Sequence, residues 1–256
     1  MSVCGASLAP EYTAGRLGVF HARLRFMPRS PHALTAALRA GLAAAADPAR
    51  AKGAQAYMKS TMPFRGVSAP VQKRLWRDAL AAHPLTTSAG WTRVVLELWR
   101  TAAYREERYA AVGLASDRRY LAYRTRTAIP MLEEMIVTGA WWDYVDALAS
   151  HPLGDVLVSD PGRVAPVMRR WARDRDQWKR RAAILCQIRR KRETDLALLY
   201  DCIEPNLADR EFFIRKAIGW ALRAYAWTDP REVKKYVKAN RARLSSLSIR
   251  EALKNV

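Results

Sequence analysis

The stretch Ala140-Trp-Trp-Asp-Tyr-Val-Asp-Ala-Leu-Ala-Ser150 is the part of the sequence around which the rest of the chain is organised. As a helix, it places Trp142 and Asp146 four residues apart on one face, with Val145 and Leu148 toward the packing side. A carboxylate beside a large indole is unusual on a chain with a net charge of +20, because it cancels part of the attraction that this charge provides. The stretch therefore predicts a functional site. A helix cap with tryptophans in the core is the alternative.

Charge is the second strong feature of the sequence. The 256 residues include 44 Lys and Arg against 24 Asp and Glu, and the excess is larger after residue 160. Such a balance indicates a polyanionic partner, most often nucleic acid and less often an anionic membrane surface. A uniformly basic proteome from a GC-rich genome is the alternative explanation. The basic runs are either a stripe for phosphates or merely solvated faces: Arg169-Arg170, Lys179-Arg180-Arg181, Arg189-Arg-Lys-Arg192 and Lys234-Lys235.

Cysteine usage and hydropathy bound the cellular location. Cys4, Cys186 and Cys202 are odd in number and too widely spaced for a disulfide framework or a metal site. No apolar run approaches the roughly 18 residues of a membrane span. The N-terminus lacks the basic and apolar regions of a signal peptide. We therefore expect a protein of the bacterial cytoplasm or nucleoid that neither enters a membrane nor carries a metal.

Helical periodicity runs from residue 30 to the end of the chain. Residues 1–29 show no sustained period and are expected to be a poorly ordered extension. Ser30-Pro31 pairs an N-cap residue with proline at the first helical position, and therefore predicts the first helix start. Ser248-Ile-Arg-Glu251 has the pattern of a capping box and predicts the start of the last helix. No segment shows the sustained alternation of a strand. The prediction is an all-α fold with a single domain over residues 30–256.

An internal period links the helices. Arg108-Tyr-Ala-Ala-Val112, Arg181-Ala-Ala-Ile-Leu185 and Lys216-Ala-Ile-Gly-Trp220 each begin with a basic residue that is followed by small residues and then bulk. Their spacing fits a period of roughly 35–40 residues with two helices per unit, which is typical of HEAT-like repeats. Such units stack into a curved solenoid with a concave binding face. Four candidate site residues then fall on equivalent helices: Trp142, Asp146, Arg181 and Trp220.

Several segments together resemble the AlkD family of DNA alkylation repair enzymes. They are Ala56-Tyr-Met-Lys59 with Pro63-Phe64, Trp141-Trp-Asp-Tyr-Val-Asp146 with Leu153-Gly-Asp155, Arg181-Ala-Ala-Ile-Leu185, Phe212-Phe-Ile-Arg-Lys-Ala-Ile-Gly-Trp-Ala-Leu222 and Leu247-Ser-Ile-Arg-Glu-Ala-Leu-Lys254. The resemblance covers roughly residues 31–256 in the same order. It leaves only the N-terminal extension outside, which is the departure from the family's pattern.

The resemblance implies both an activity and a site. It implies a monomeric HEAT-like repeat protein that cradles duplex DNA and hydrolyses the glycosidic bond of 3-methyladenine and 7-methylguanine, without metal or cofactor. Asp146 would be the catalytic carboxylate, with Trp142 and Trp220 flanking the sugar-phosphate of the lesion. Arg181 would belong to the same site, where it either keeps Asp146 ionised or holds a phosphate. Core packing is the alternative for Trp220, and Asp143 is expected to cap its helix or face solvent.

These residue types suit the chemistry. A purine alkylated at N3 or N7 is already cationic, so it leaves without a general acid, while the sugar develops oxocarbenium character. A carboxylate and indole faces stabilise that cation. The sequence offers no set of residues that would bind the edge of a flipped base. It also offers no evident lysine nucleophile, so a monofunctional glycosylase without lyase activity is expected. The alternatives are a non-catalytic, structure-specific DNA-binding repeat protein and a HEAT-like protein scaffold, which has little use for a charge of +20.

Overall fold

A computed structural model describes residues 32–254 of the chain. These residues form one compact unit of α-helices without a strand. The α-helices, in chain order from α1 to α14, are Ala33–Ala44, Pro48–Met58, Ala69–Ala82, Ser88–Arg100, Arg105–Ser116, Ile129–Gly139, Trp142–Leu148, Gly154–Ser159, Pro161–Trp171, Gln177–Leu185, Leu196–Ile203, Phe212–Ala226, Pro230–Ala239 and Ser246–Ala252. The all-α prediction is confirmed. The extension predicted for residues 1–29 lies outside the described residues.

Every second helix, or nearly so, belongs to one continuous layer. The helices α1, α3, α5, α7, α10, α12 and α14 pack in that order, each against the next. They begin at residues 33, 69, 105, 142, 177, 212 and 246, which are 34 to 37 residues apart. We call these seven helices the first layer. Their regular starts confirm the predicted helical repeat, because each first-layer helix buries the same kind of face against its predecessor.

Most of the remaining helices pack against the first layer. The helix α4 packs on α5, α6 packs on α7 and α10, and both α9 and α11 pack on α10. The helix α13 packs on α12 and α14 at the C-terminal end. The core between the helices contains large side chains that are almost fully buried, including Trp91, Trp99, Trp171 and Tyr144. Several tryptophans of this chain are therefore core residues, and those at the candidate site have to be distinguished from them by exposure.

Side chains cap the first turns of the first two described helices. Asp47 caps α2 through two backbone amides, at 3.1 Å each, as its position before Pro48 predicts. The first described helix begins at Ala33, and the ring of His32 accepts the Leu34 amide there. Ser30-Pro31, the predicted start, lies outside the described residues.

The last helix begins three residues earlier than its capping-box pattern predicts. Ser245 is the N-cap residue, and its hydroxyl accepts the Ser248 amide at 3.0 Å. Ser248 is buried inside α14 and donates its own hydroxyl to the carbonyl of Arg215 at 3.0 Å. The prediction that Ser248 caps this helix is therefore wrong. Ser248 instead joins two first-layer helices, α12 and α14, and Ser245 is the residue that caps α14.

The helix that follows Trp141 changes its pitch halfway along. A π-helical turn at Ala149–Leu153 joins α7 to α8 and contains Pro152. Proline has no backbone N–H and crowds the preceding turn, so the wider turn lets the helical path continue past it. The hydroxyl of Ser150 donates to the carbonyl of Asp146 at 2.7 Å, which gives this carbonyl a partner next to the irregular turn. Asp146 therefore lies in the last turn of a short, regular helix.

None of the helices in residues 32–254 is long and apolar enough to cross a membrane.

Candidate active site

The centre of the candidate site is a two-armed ion pair between α7 and α10. The Nε of Arg181 lies 2.6 Å from Oδ1 of Asp146, and its Nη2 lies 2.7 Å from Oδ2. The remaining nitrogen, Nη1, donates to the carbonyl of Phe213 on α12. Three successive first-layer helices therefore meet at one guanidinium. This planar fork fixes the orientation of the carboxylate, because two parallel bonds leave it no freedom to rotate.

Burial and the ion pair act on Asp146 in opposite directions. The side chain of Asp146 is 14% exposed and that of Arg181 is 5% exposed. Burial raises the pKa of the Asp146 carboxyl, the paired guanidinium of Arg181 partly offsets that rise, and the nearby Asp143 charge adds to it. Each carboxylate oxygen has two lone pairs, so the arginine leaves acceptor capacity on both oxygens. The exposed part of Asp146 can therefore still accept a hydrogen bond or face a cation.

Of the two roles that the sequence left open for Arg181, the structure shows the contact with the carboxylate. Its side chain is almost fully buried and three of its nitrogens point at protein oxygens. A phosphate on the protein surface cannot easily reach a guanidinium enclosed in this way. Arg181 is therefore placed as a positioning residue for Asp146.

Asp143, one turn before Asp146, neither occupies the N-cap of α7, which is Trp141, nor faces solvent, so the prediction of one or the other is wrong. Its Oδ1 lies 2.7 Å from Nη2 of Arg105, and its Oδ2 accepts the hydroxyl of Tyr109 at 2.7 Å. Both partners lie on α5, and Arg105 is itself buried. Burial, with the Asp143 charge as a further cause, raises the pKa of Tyr109 well above its usual range, so its hydroxyl stays protonated and donates. This network is not evident in the sequence, because the partners are separated by more than 30 residues.

Aromatic residues hold the starts of α7, α10 and α12 together. The centroid of the Trp141 ring lies 6.3 Å from that of Trp178 and 5.6 Å from that of Phe213. The rings of Trp178 and Phe213 lie 5.0 Å apart. Ala140 ends α6 with its backbone in the left-handed region, at a φ of 43°. Trp142 is then the first residue of α7. These contacts fix the end of α7 that carries Trp142.

The two candidate tryptophans are intermediate between core and surface. Trp142 and Trp220 are both partly buried and pack against the core through part of their rings. Gly219 and Ala221, the chain neighbours of Trp220, are buried, so α12 is packed on both sides of this position. Trp220 also lines an open cleft of about 980 Å³. Trp220 therefore combines packing against the core with a place in the lining of this cleft.

Many of the basic residues proposed for a phosphate stripe are neutralised by neighbouring helices. The clearest ion pairs are Arg169 with Asp201 at 2.7 Å, Lys179 with Glu133 and Asp174 at 2.6 Å each, Arg180 with Asp209 at 3.0 Å and Arg190 with Asp155 at 3.1 Å. These residues therefore join repeats as well as carrying charge. Arg189, Lys191 and Arg192 are different, since they form no ion pair with any residue between 32 and 254.

Within residues 32–254, no group of three or more His, Cys, Asp or Glu side chains is arranged to hold a metal ion. The two cysteines described, Cys186 and Cys202, are buried, and burial raises the pKa of both thiols above the usual range. They are suited to packing rather than to nucleophilic chemistry.

Comparisons with known proteins identify a family and a similar solved structure. Residues 38–256 match the model of a family described as DNA alkylation repair enzyme. Among solved structures, a predicted DNA alkylation repair enzyme from Enterococcus faecalis is similar, with a TM-score of 0.73 and 29% sequence identity. The match covers 82% of this chain and 96% of the other chain. No curated protein matches the sequence.

Proposed function

This chain belongs to the DNA alkylation repair enzyme family, and from that premise we propose that it is a monofunctional DNA glycosylase. It would release cationic alkylated purines, such as 3-methyladenine and 7-methylguanine, from duplex DNA in base-excision repair. The observation that carries the proposal is the partly exposed Asp146 carboxylate, held by both arms of Arg181 between helices that also carry Trp142 and Trp220. We further propose that the protein acts as a monomer in the bacterial cytoplasm, where chromosomal DNA is its substrate.

The proposed reaction breaks one bond and forms another. The bond from C1′ of the sugar to the purine nitrogen breaks, and its electron pair neutralises the positive charge of the departing base. The sugar is left with oxocarbenium character, which the Asp146 carboxylate stabilises. A water oxygen then bonds to C1′ and its proton leaves to Asp146 or to solvent. The products are a free neutral base and an abasic site.

The other residues of the site would act on the sugar and its phosphates. The indole faces of Trp142 and Trp220 attract a cationic transition state, because tryptophan is the strongest aromatic partner of a cation. Arg181 holds the carboxylate in place and opposes the effect of burial on its ionisation. Its buried position makes it a positioning residue in this scheme, rather than a group that touches the lesion.

Selectivity would come from the charge of the lesion. Trp142, Asp146 and Trp220 suit a sugar-phosphate, and hydrogen-bonding groups for the edge of an enclosed base are not among them. A neutral lesion needs a general acid to leave, whereas a cationic purine does not. We therefore propose that cationic N3 and N7 adducts are accepted with little regard to their size.

The direct test is release of free base by the purified protein. Duplexes that carry 7-methylguanine or 3-methyladenine are incubated with the protein, and the free base and the abasic site are measured. We expect equal amounts of both products. Binding of the duplex without base release would instead favour the alternative, a non-catalytic, structure-specific DNA-binding repeat protein. Absence of both binding and release would favour a protein scaffold.

A further inference from the structure

Helix α12 carries aromatic residues at a seven-residue interval along one stripe. Phe213, Trp220 and Trp227 are each separated by about two helical turns, so they lie nearly in line along one side. Phe213 packs in the aromatic cluster at the start of the helix, and Trp220 is partly buried. Trp227, at the end of the helix, is 76% exposed. Among residues 32–254, most of the Trp227 ring is therefore without a packing partner.

A basic loop faces this end of α12. Arg189, Lys191 and Arg192 are exposed, and together with Trp220, Arg223 and Trp227 they line the cleft of about 980 Å³. We call this surface, defined by those six residues, the Trp227 cleft. The loop therefore shares a cleft with Trp220, one of the candidate site residues.

The loop has a fixed shape and a net positive charge. Arg190 is anchored to Asp155 at 3.1 Å, and the backbone of Lys191 turns in the left-handed region with φ of 52°. Arg223 on the opposite wall is paired with Glu251 at 2.6 Å, and Glu193 at the rim lies 3.9 Å from Arg190. The charges of Arg189, Lys191 and Arg192 remain available among the described residues. An exposed indole that shares a cleft with three such cations suits a strand of duplex DNA, whose sugars offer apolar surface and whose phosphates are anionic.

We propose that the Trp227 cleft binds the DNA strand beside the lesion. This inference rests on the proposed function, which places Trp220 at the sugar-phosphate of the damaged nucleotide. Seven residues of helix advance about 10.5 Å, which corresponds to roughly three nucleotides at about 3.4 Å each along a strand. Trp227 then contacts a nucleotide about three positions from the lesion, with its indole against the sugar. Arg189, Lys191 and Arg192 contact the phosphates on the same side.

The first experiment measures the dissociation constant of undamaged duplexes and the protein concentration that half-saturates single-turnover base release. Trp227→Ala should raise both quantities by the same factor, about 5-fold or more, as expected for truncating a tryptophan that anchors an interface. Trp227→Phe should recover most of the loss, because it keeps an aromatic face. Unchanged binding by Trp227→Ala would overturn the proposal.

The charged wall is tested by its salt dependence. Arg189→Gln combined with Arg192→Gln should reduce the slope of log K against log salt by about 1.8, since each phosphate contact contributes about 0.9. Arg118→Gln combined with Arg126→Gln is the matched control, because it removes the same charge from two exposed arginines outside the cleft. An equal change in slope for both double variants would contradict a specific phosphate contact.

The position on the DNA is tested by truncation. One set of lesion duplexes is cut back to a single base pair on the 5′ side of the lesion, and a second set is cut back on the 3′ side. The affinity loss of Trp227→Ala should disappear with one of these truncations and persist with the other. A loss that persists in both sets would overturn the inference. If the wild-type protein binds duplexes without releasing base, the proposed function fails, while the binding measurements still decide the cleft.

Discussion

Asp143 and Asp146 lie three residues apart on α7, yet each is bound by an arginine from a different neighbouring helix. Arg105 of α5 binds Asp143 at 2.7 Å, and Arg181 of α10 binds Asp146 at 2.6 and 2.7 Å. A helix of seven residues is not stable by itself, so α7 depends on such contacts. The two ion pairs hold it from both sides. The carboxylate proposed for catalysis is therefore positioned by the stacking of three repeats.

The acidic limb of the pH–rate profile should report the environment of Asp146. Burial raises the pKa of this carboxyl, and the guanidinium of Arg181 opposes the rise. The proposed reaction needs the ionised form, which is lost as the pH falls through this raised pKa. Activity should therefore decline at a higher pH than the usual pKa of an aspartate, about 3.9. Arg181→Gln removes the opposing effect, so its acidic limb should move to still higher pH in single-turnover base release.

Arg181→Lys provides the control for this experiment. Lysine keeps the positive charge but cannot form two parallel bonds, so its acidic limb should lie between those of the wild type and Arg181→Gln. Breaking a buried pair typically costs about 3–5 kcal/mol, and folding of each variant is checked by circular dichroism. An acidic limb that is the same in all three proteins would show that Arg181 does not act on the ionisation of Asp146.

The repeat was predictable from the sequence because it is a property of each segment by itself. Arg108, Arg181 and Lys216 mark three first-layer helices, and the spacing between them locates the others. The partners of charged residues were not predictable in the same way. Asp143 has basic residues at suitable distances in more than one repeat, and only the packing of α5 on α7 selects Arg105.

Exposure was the other property that the sequence did not supply. Nine tryptophans are present, and those in the core share similar surroundings in the sequence with those at the surface. Trp227 directly follows α12 and has apolar residues before it, yet it is largely exposed, whereas Trp171 is buried at an equivalent helix end. The interval from Phe213 to Trp220 to Trp227 was the available signal, although such an interval also fits a buried stripe.

Gly219 should be intolerant of substitution because two first-layer helices approach closely there. A Cβ at this position would lie 2.5 Å from Cβ of Glu251 and 2.9 Å from the carbonyl oxygen of Ser248. Gly219→Ala should therefore lower the free energy of unfolding by about 1–3 kcal/mol, as overpacking does. Gly53→Ala is the matched control. It lies in α2 with open space around its Cβ position, so it should stabilise the protein by about 0.5–1 kcal/mol.

Chemical or thermal denaturation of both glycine variants distinguishes packing from helix propensity. A Gly219→Ala protein as stable as Gly53→Ala would contradict the close approach of α12 and α14.

Lesion charge, rather than lesion size, should decide which bases are released. A duplex with a bulky cationic N3 adduct should yield free base, because the adduct leaves as a neutral molecule once its bond to C1′ breaks. Duplexes with uracil or hypoxanthine should yield none, since these neutral bases need a proton to leave. Efficient release of uracil, or rejection of the bulky cation together with good release of methylpurines, would contradict selection by charge.

Affinity for undamaged duplex should depend strongly on salt. With contacts to several phosphates, log K falls linearly with log salt, at a slope of about −0.9 for each phosphate contacted. We expect a slope of several units, measured by fluorescence anisotropy across a range of sodium chloride concentrations. Affinity that does not change with salt would indicate that the basic surface serves another partner.

The role of Asp146 is tested most directly by the single-turnover rate of 7-methylguanine release from a duplex. Asp146→Asn keeps the shape of the side chain and removes its charge, so the rate should fall by about 100- to 1000-fold, while the duplex is still bound. Asp209→Asn is the matched control, because it also removes a partly buried carboxylate from an arginine, Arg180 of α10, outside the site, and it should keep most of the rate. A near-normal rate for Asp146→Asn, or equal losses in both variants, would contradict Asp146 as the catalytic carboxylate.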